Sequence, residues 1–440
     1  MFTFRDKRIF YAIAIAVLAA TEVFVAMFTE SKYDMNVWLN TGYWMSHGIN
    51  IYLPENHLGY PPLWALWCSA AYSIFGLAGN NVEIWRLTIK LPMILAQFVF
   101  AFVMWKFVCE RFDPKTASKI FWFTLSCSFF IYIGVMWGQI NIISALLTFL
   151  AFYAVIRNRT GVAALLLGVA VTLKIYPLVT VPAFLVYLFK NRNPKEAGKF
   201  LLYTCGVPVL FTLAVFVASG WDILYFLRTI FYWTPAFESG STQIQGGCMN
   251  LWSFAGLNGV DISQIWLLRL IWVPILAGAA VYWFRRRGMN EASLNLALIS
   301  FYFLFMMSYG WVTEQTFLDP LAFIFLQILA YQPKRAHMYG LVGIQLLVYA
   351  FSLFNGGPMI FEPLFSAFYP AVISPISNLS IVNSALAWTI RGMLGLAISV
   401  ALGLFLLFLA EPALLSKSKE KLQKASTDLS HIFDNLRLPR

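Results

Sequence analysis

Four polar stations interrupt an otherwise apolar chain, and each holds side chains able to move a proton or neutralise an anion. The first is Asp34, in Lys32-Tyr33-Asp34-Met35-Asn36-Val37-Trp38, followed by Gly48-Ile49-Asn50-Ile51-Tyr52 and Gly59-Tyr60-Pro61-Pro62-Leu63. A carboxylate held at a membrane edge and partly desolvated suits a general base. It equally suits a helix cap or an interfacial charge. The second station is Trp137-Gly138-Gln139-Ile140-Asn141. The amides of Gln139 and Asn141 can bind sugar hydroxyls or a phosphate, or simply tie helices together. The third is Leu173-Lys174-Ile175-Tyr176-Pro177. An ammonium between two apolar half-segments suits a phosphate in a dry site, unless it snorkels to the interface. The fourth is Trp311-Val312-Thr313-Glu314-Gln315-Thr316-Phe317-Leu318-Asp319-Pro320. Glu314 there can orient a sugar or a water, or pair with a structural cation. Arg86 and Lys90 lie near the outer end of their apolar run, against the usual charge bias. They are candidate phosphate ligands, or partners for Glu314 and Asp34. Polar groups at membrane depth are costly, which makes each of these a functional candidate.

The elements that must position these groups are membrane helices. Of 440 residues, 60% are hydrophobic and 12% charged, and mean hydropathy is +0.71. Soluble domains carry about 25% charged residues. Apolar runs of roughly 20 residues recur, the length that spans a hydrocarbon core as a helix. Their continuous rather than alternating character disfavours a β-barrel. The net charge of +11 sits in short loops between the runs: Arg5–Arg8, Lys106–Lys119, Arg157–Arg159, Lys190–Lys199, Arg285–Arg287, Lys334–His337 and the tail from Lys417. That placement follows the positive-inside rule and points to topology, not to nucleic acid.

With those clusters cytoplasmic, the expectation is an all-α polytopic protein over residues 1–410 with a cytoplasmic tail at 411–440. Spans are expected near 9–28, 86–106, 119–136, 140–157, 200–219, 264–284, 290–309, 315–332, 338–355 and 383–410. Outer loops fall at 29–60, 220–263 and 356–382. Within the first, Met35 to His47 can form a short helix. The second is rich in aromatic residues and amides (Trp221, Trp233, Gln243, Gln245, Asn250, Trp252), with Asp222, Arg228, Tyr232 and Glu238 among them. That composition fits carbohydrate or headgroup contact as well as an ordinary interfacial belt. Residues 61–80 and 160–190 do not fit whole spans. They are expected to be broken or re-entrant helices, tolerated where backbone lines a protein cavity. The total expected is eleven to thirteen membrane helices. No internal repeat supports an inverted-repeat transporter. The five cysteines lack metal spacing and predict no disulfide framework.

Walker, dinucleotide and His-Glu-x-x-His motifs are absent. No Asp-x-Asp or Glu-x-Asp stands in the outer loops, so no divalent cation is expected. Energy for any transfer must then come from an activated lipid or an ion gradient.

In their order across this topology, the Asp34 loop with Gly48-x-x-x-Tyr52 and Tyr60-Pro61-Pro62, then Gly138-Gln139-x-Asn141, then Gly168 to Lys174-x-x-Pro177 resemble the GT-C superfamily of membrane glycosyltransferases. The Glu314-Gln315 edge resembles a site in related members. The similarity is greatest to the polyprenol-phosphate-mannose-dependent mannosyltransferases of bacteria and archaea, and covers about residues 1–200. It implies a polyprenyl- or dolichyl-phosphate sugar donor, a glycolipid or lipid-linked glycan acceptor, and no cofactor beyond that lipid co-substrate. It implies Asp34 as general base. It implies Lys174, with Arg86 or Lys90, on the leaving phosphate, and Gln139 and Asn141 orienting sugar or phosphate. Tyr60, Glu314 and Gln315 are further expected donor contacts. Some bacterial relatives place a histidine in a later outer region; here the outer histidines are His47 and His57, both in the first loop. The membrane implied is the plasma membrane in a prokaryote or the endoplasmic reticulum in a eukaryote. Three other readings remain: a transporter or flippase, a non-catalytic subunit of a glycan-assembly complex, and another lipid-linked transfer such as pentose addition.

Overall fold

The computed structural model describes residues 4–53, 56, 58–232, 248–260, 270–286, 288–310, 312–369 and 384–410, without the side chains of 4–8 and 228–232. Helices follow the apolar runs. The first are α1 (Phe4–Phe28), α2 (Lys32–Ser46), α3 (Pro62–Leu77), α4 (Val82–Arg111), α5 (Pro114–Leu125) and a short α6 (Ser128–Phe130) that continues as a π-helix over Ile131–Trp137. Next come α7 (Asn141–Ile156), α8 (Thr160–Leu173), a 3-10 turn (Tyr176–Thr180), α9 (Val181–Asn191), α10 (Pro194–Ser219) and α11 (Ile223–Tyr232). After them stand α12 (Leu251–Leu257), α13 (Trp272–Arg285), α14 (Glu291–Ser308), a 3-10 turn (Glu314–Leu318), and α15 (Leu321–Leu326) with a π-turn (Gln327–Tyr331). The last are α16 (Arg335–Phe354), a 3-10 turn (Gly357–Phe361), α17 (Glu362–Phe368) and α18 (Ala385–Ala410). No strand occurs among the described residues, and the protein is an all-α, multi-pass membrane protein as expected.

Short polar signals start these helices. Asp113 accepts from the amides of Lys115 and Thr116 ahead of Pro114, Asn193 from Glu196 ahead of Pro194, and Asn290 from Ser293. Such a cap contributes about 1 kcal/mol. Each stands in or beside a basic cluster, so the loops that carry positive charge are also where the chain turns back into an apolar run.

Among the described residues seven helical stretches are long and apolar enough to cross a membrane: Ile9–Phe28, Val82–Arg111, Pro114–Trp137, Pro194–Ser219, Glu291–Ser308, Arg335–Phe354 and Ala385–Ala410. Shorter apolar helices are α3, α7 and α8. The expected eleven to thirteen crossings are therefore not all straight spans among the described residues. The 160–190 stretch breaks at Lys174 into α8, the 3-10 turn and α9. The stretch expected at 315–332 becomes a 3-10 turn, α15 and a π-turn. The 61–80 stretch becomes α3, whose 16 residues cover about 24 Å, short of a ~30 Å hydrocarbon core. The breaks coincide with the polar stations.

Most of α14 is buried, whereas α1 and α10 turn most of their surface outward. Their exposed Phe10, Val17, Leu202, Leu210 and Val217 face hydrocarbon, where apolar exposure carries no penalty. α8 packs on α10 and α7, α4 on α5 and α1, and α2 on α3. Gly42 permits the last contact, because a Cβ there would stand 2.5 Å from the Cys68 carbonyl oxygen. All five cysteines are free. The tail 411–440, residues 233–247 and 261–263 of the second expected loop with 264–269 of the span expected after it, and 370–382 of the third with residue 383 lie outside the described residues.

Candidate active site

The chain leaves α1 and turns at once into α2, whose N-cap is Ser31 rather than Asp34. Asp34 sits in the first turn, half-buried. There the helix N-terminus favours its charge. Ser31 Oγ donates to Asp34 Oδ2 at 2.9 Å, and Trp137 Nε1 donates to the same oxygen. Trp137 closes the π-helix, and Gly138 follows it at φ 92°. A Cβ at Gly138 would stand 3.1 Å from Met35 Sδ and 3.3 Å from Lys90 Cε, in a left-handed conformation that L side chains rarely adopt. Its carbonyl accepts from Trp38 Nε1 at 3.2 Å. The turn after the π-helix and the start of α2 are thus stitched into one unit, 103 residues apart in sequence.

From that turn Gln139 reaches inward. Its Oε1 accepts from Tyr60 Oη at 3.4 Å, while its buried Nε2 has no partner. A buried donor without a partner costs roughly 1–3 kcal/mol, so this amide is ready for an acceptor. Tyr60 is held by an edge contact with Trp38 at 5.0 Å and by Tyr52 Oη, which donates to its carbonyl at 2.9 Å.

Asn141 opens α7 and bridges two charges. Its Oδ1 accepts from Lys174 Nζ at 2.8 Å, and its Nδ2 donates to Asp319 Oδ2 at 3.2 Å. Ser144 Oγ supports Asp319 at 3.3 Å. Lys174 stands at the break after α8 and also donates to Gln315 Oε1 at 3.0 Å. Its ammonium lies 5.6 Å from the Tyr60 ring centre and 5.0 Å from that of Tyr176. An ammonium has three N–H donors; two are engaged here, and one remains. Lys174 feels the charges of both Asp319 and Asp34. Asp34, Tyr60, Gln139, Asn141, Lys174 and Gln315 therefore form one site.

Glu314 adjoins it. It is fully buried and accepts from Ser352 Oγ at 3.1 Å and Asn355 Nδ2 at 3.2 Å. Asn355 Oδ1 accepts in turn from Arg391 at 3.1 Å. Burial pushes the Glu314 carboxyl up to about 7, the bonds to Asn355 and Ser352 oppose the rise, and the Asp34 charge adds to it.

Arg86 and Lys90, expected at the phosphate or beside Glu314 and Asp34, have other partners. Arg86 grips Glu30 with two hydrogen bonds of 2.8 Å. Lys90 donates to the carbonyls of Ala26 and Met136 at 3.1 Å each, and to that of Thr29. All three of its donors hold backbone. In the second expected loop, Asn250 donates to the carbonyls of Met306 and Tyr309 at 2.9 and 2.8 Å, closing the end of α14. Trp221 donates to the Gly48 carbonyl at 3.1 Å. A ring nitrogen of His47 lies 2.8 Å from the Tyr43 carbonyl, at the far end of α2 from Asp34, and His57 lies outside the described residues. Among the described residues no group of three His, Cys, Asp or Glu side chains gathers.

Sequence reasoning missed Trp137 as the donor to Asp34, although it stands in the quoted Trp137-Gly138-Gln139 run. It also missed Glu30 as the partner of Arg86, and Asp319 as the counter-charge held by Asn141. Ser352, Asn355 and Arg391 gave no signal beyond being polar within apolar runs.

A family model described as Glycosyltransferase family 87 matches residues 59–308, more than half of the chain. The match takes in Tyr60, Gln139, Asn141 and Lys174, and leaves Asp34, Glu314 and Gln315 outside it. No curated protein matches the sequence.

Proposed function

The chain belongs to glycosyltransferase family 87, and from that premise we propose that it is an inverting hexosyltransferase of GT-C-like architecture. It draws its sugar, mannose by resemblance, from a polyprenyl- or dolichyl-phosphate donor. It delivers that sugar to a lipid-linked or glycan acceptor on the non-cytoplasmic face. The observation that carries this reading is the meeting of three unlike groups. A half-buried carboxylate (Asp34), an ammonium with one donor left (Lys174) and a buried amide without an acceptor (Gln139) answer the three needs of the transfer.

Asp34 takes the proton of the acceptor hydroxyl as its oxygen bonds to the sugar C1. The bond from C1 to the phosphate oxygen breaks, and its electron pair leaves with the lipid phosphate. The remaining N–H of Lys174 meets that growing negative charge, where a fixed cation in a dry site acts most strongly. Asn141 and Gln315 hold the ammonium in place, and Asp319 offsets its charge before substrate arrives. Gln139 Nε2 donates to a sugar hydroxyl or phosphate oxygen. Trp137 and Ser31 keep one Asp34 oxygen engaged, which leaves the other for the proton.

The test is transfer from radiolabelled polyprenyl-phosphate-mannose to host lipid in membranes carrying wild type or Asp34→Asn. The amide is near-isosteric but accepts no proton at neutral pH. Label in a new product with wild type, and none with the folded variant, supports both donor and base. No transfer by wild type overturns the donor assignment. Equal transfer removes Asp34 from its role.

A further inference from the structure

We propose that the end of α8 opposite Lys174 carries a second, non-catalytic site that binds the phosphate of an anionic phospholipid. A cavity of about 470 Å³ opens there, lined by Arg159 at the α7–α8 turn, Thr160 and Gly161 at the start of α8, Arg192 at the α9–α10 turn, and Glu196 and Lys199 at the start of α10. Three cations and one carboxylate share this space. Among the described residues none of the three cations is in an ion pair, whereas neighbouring Arg157 is paired with Glu110. With one carboxylate against three cations the space is net positive, and guanidinium groups match phosphate oxygens two at a time.

The surroundings select a lipid over a soluble phosphate. Val162 lines the cavity, and Leu165, one turn along α8, continues the same face. On α10, Leu202 stands one turn beyond Lys199. These three are 48%, 49% and 67% exposed, an apolar surface for acyl chains directly beside the basic cavity. α8 and α10 are packed as one wall, with Gly168 against Val207. Both turns also belong to the clusters that the positive-inside rule assigns to the cytoplasmic leaflet, where anionic lipids bind basic pockets between helices. α8 thus joins two phosphate-directed ends roughly 21 Å apart.

The experiment measures lipid retention by native mass spectrometry on the full chain purified in detergent. Phosphatidylglycerol should stay bound to wild type. The triple variant Arg159→Gln/Arg192→Gln/Lys199→Gln should retain it about a hundredfold less tightly. Glu196→Gln, which removes the one opposing charge, should retain it more tightly. Phosphatidylcholine should be lost from all three proteins, and inorganic phosphate should not displace phosphatidylglycerol from wild type. Equal retention by the triple variant, equal retention of phosphatidylcholine, weaker binding by Glu196→Gln, or displacement by inorganic phosphate each overturns the proposal. Because all three cations are exposed, the triple variant should remain monodisperse. If it does not, Glu196→Gln and the phosphatidylcholine comparison still decide the matter.

Discussion

Two lysines are buried beside the same Gly138 turn or one residue shell from it, and their surroundings differ in kind. Lys90 is wholly buried and Lys174 is 6% exposed, so burial alone does not separate them. Acceptors do. Lys90 gives every N–H to a backbone carbonyl, one from the last turn of α1, one from Thr29 just past it and one from the π-helix. Those carbonyls lie where helices leave acceptors without an intrahelical partner, and Lys90 fastens two such ends together. Lys174 is met by two side-chain amides, which position the ammonium without exhausting it. An intramembrane charge is a sign of function only when some of its hydrogen-bonding capacity is left over.

This contrast can be broken by mutation. The largest expected effect belongs to the site side: Asp34→Asn should lower transfer by roughly 10²–10⁴-fold with an unchanged melting temperature. Lys174→Met should cost about 10²–10³-fold in kcat per folded molecule, and some stability as well, because the oxygens of Asn141 and Gln315 lose a donor and buried Asp319 loses its counter-charge. Lys90→Met should cost stability alone. It leaves three carbonyls unsatisfied, should destabilise by about 3 kcal/mol, and should leave the surviving folded fraction active per molecule. If thermal melting and turnover respond alike in both lysine variants, the distinction fails. Gln139→Leu should lower kcat/KM roughly tenfold with little change in melting temperature, because the donor it removes has no partner in the free protein and the acceptor it removes holds only the long 3.4 Å bond from Tyr60. The smallest effect is expected at Glu314. Its folded pKa of about 7 lies above the ordinary 4.5, so the folded state holds this proton more tightly than the unfolded state. Its contribution to stability should therefore grow as pH falls from 7 towards 4.5, and Glu314→Gln should flatten that part of a melting-temperature profile.

Much of the site was legible because breaks in an apolar run are conspicuous. Asp34, Gln139, Asn141, Lys174 and Gln315 all stand where the hydrophobic pattern fails, and the structure brings all five together. Arg86 and Lys90 satisfied the same criterion and have structural partners instead. Only three-dimensional neighbours distinguish them, and those neighbours, Glu30 and the Met136 carbonyl, are 56 and 46 residues away. Asp319 was visible as a residue, but its bond to Asn141 crosses 178 positions, which no local periodicity encodes. The fold class followed from composition. The span count did not, because the π-helix inside Pro114–Trp137 reads from sequence as an ordinary apolar stretch, and residues 61–80, expected to be a broken or re-entrant segment, fold as one short helix of 16 residues.

The carbonyl cage around Lys90 also bears on how the protein assembles. Ala26 and Thr29 precede Lys90 in the chain and Met136 follows it, so the cage closes only when the segment ending at Trp137 folds against α1 and α4. Stranding an ammonium in hydrocarbon is expensive. Insertion of α4 is therefore expected to weaken when α1 is absent and to strengthen once the later segment is present. The carboxylate at Asp34, bonded to Trp137, is held by the same closure.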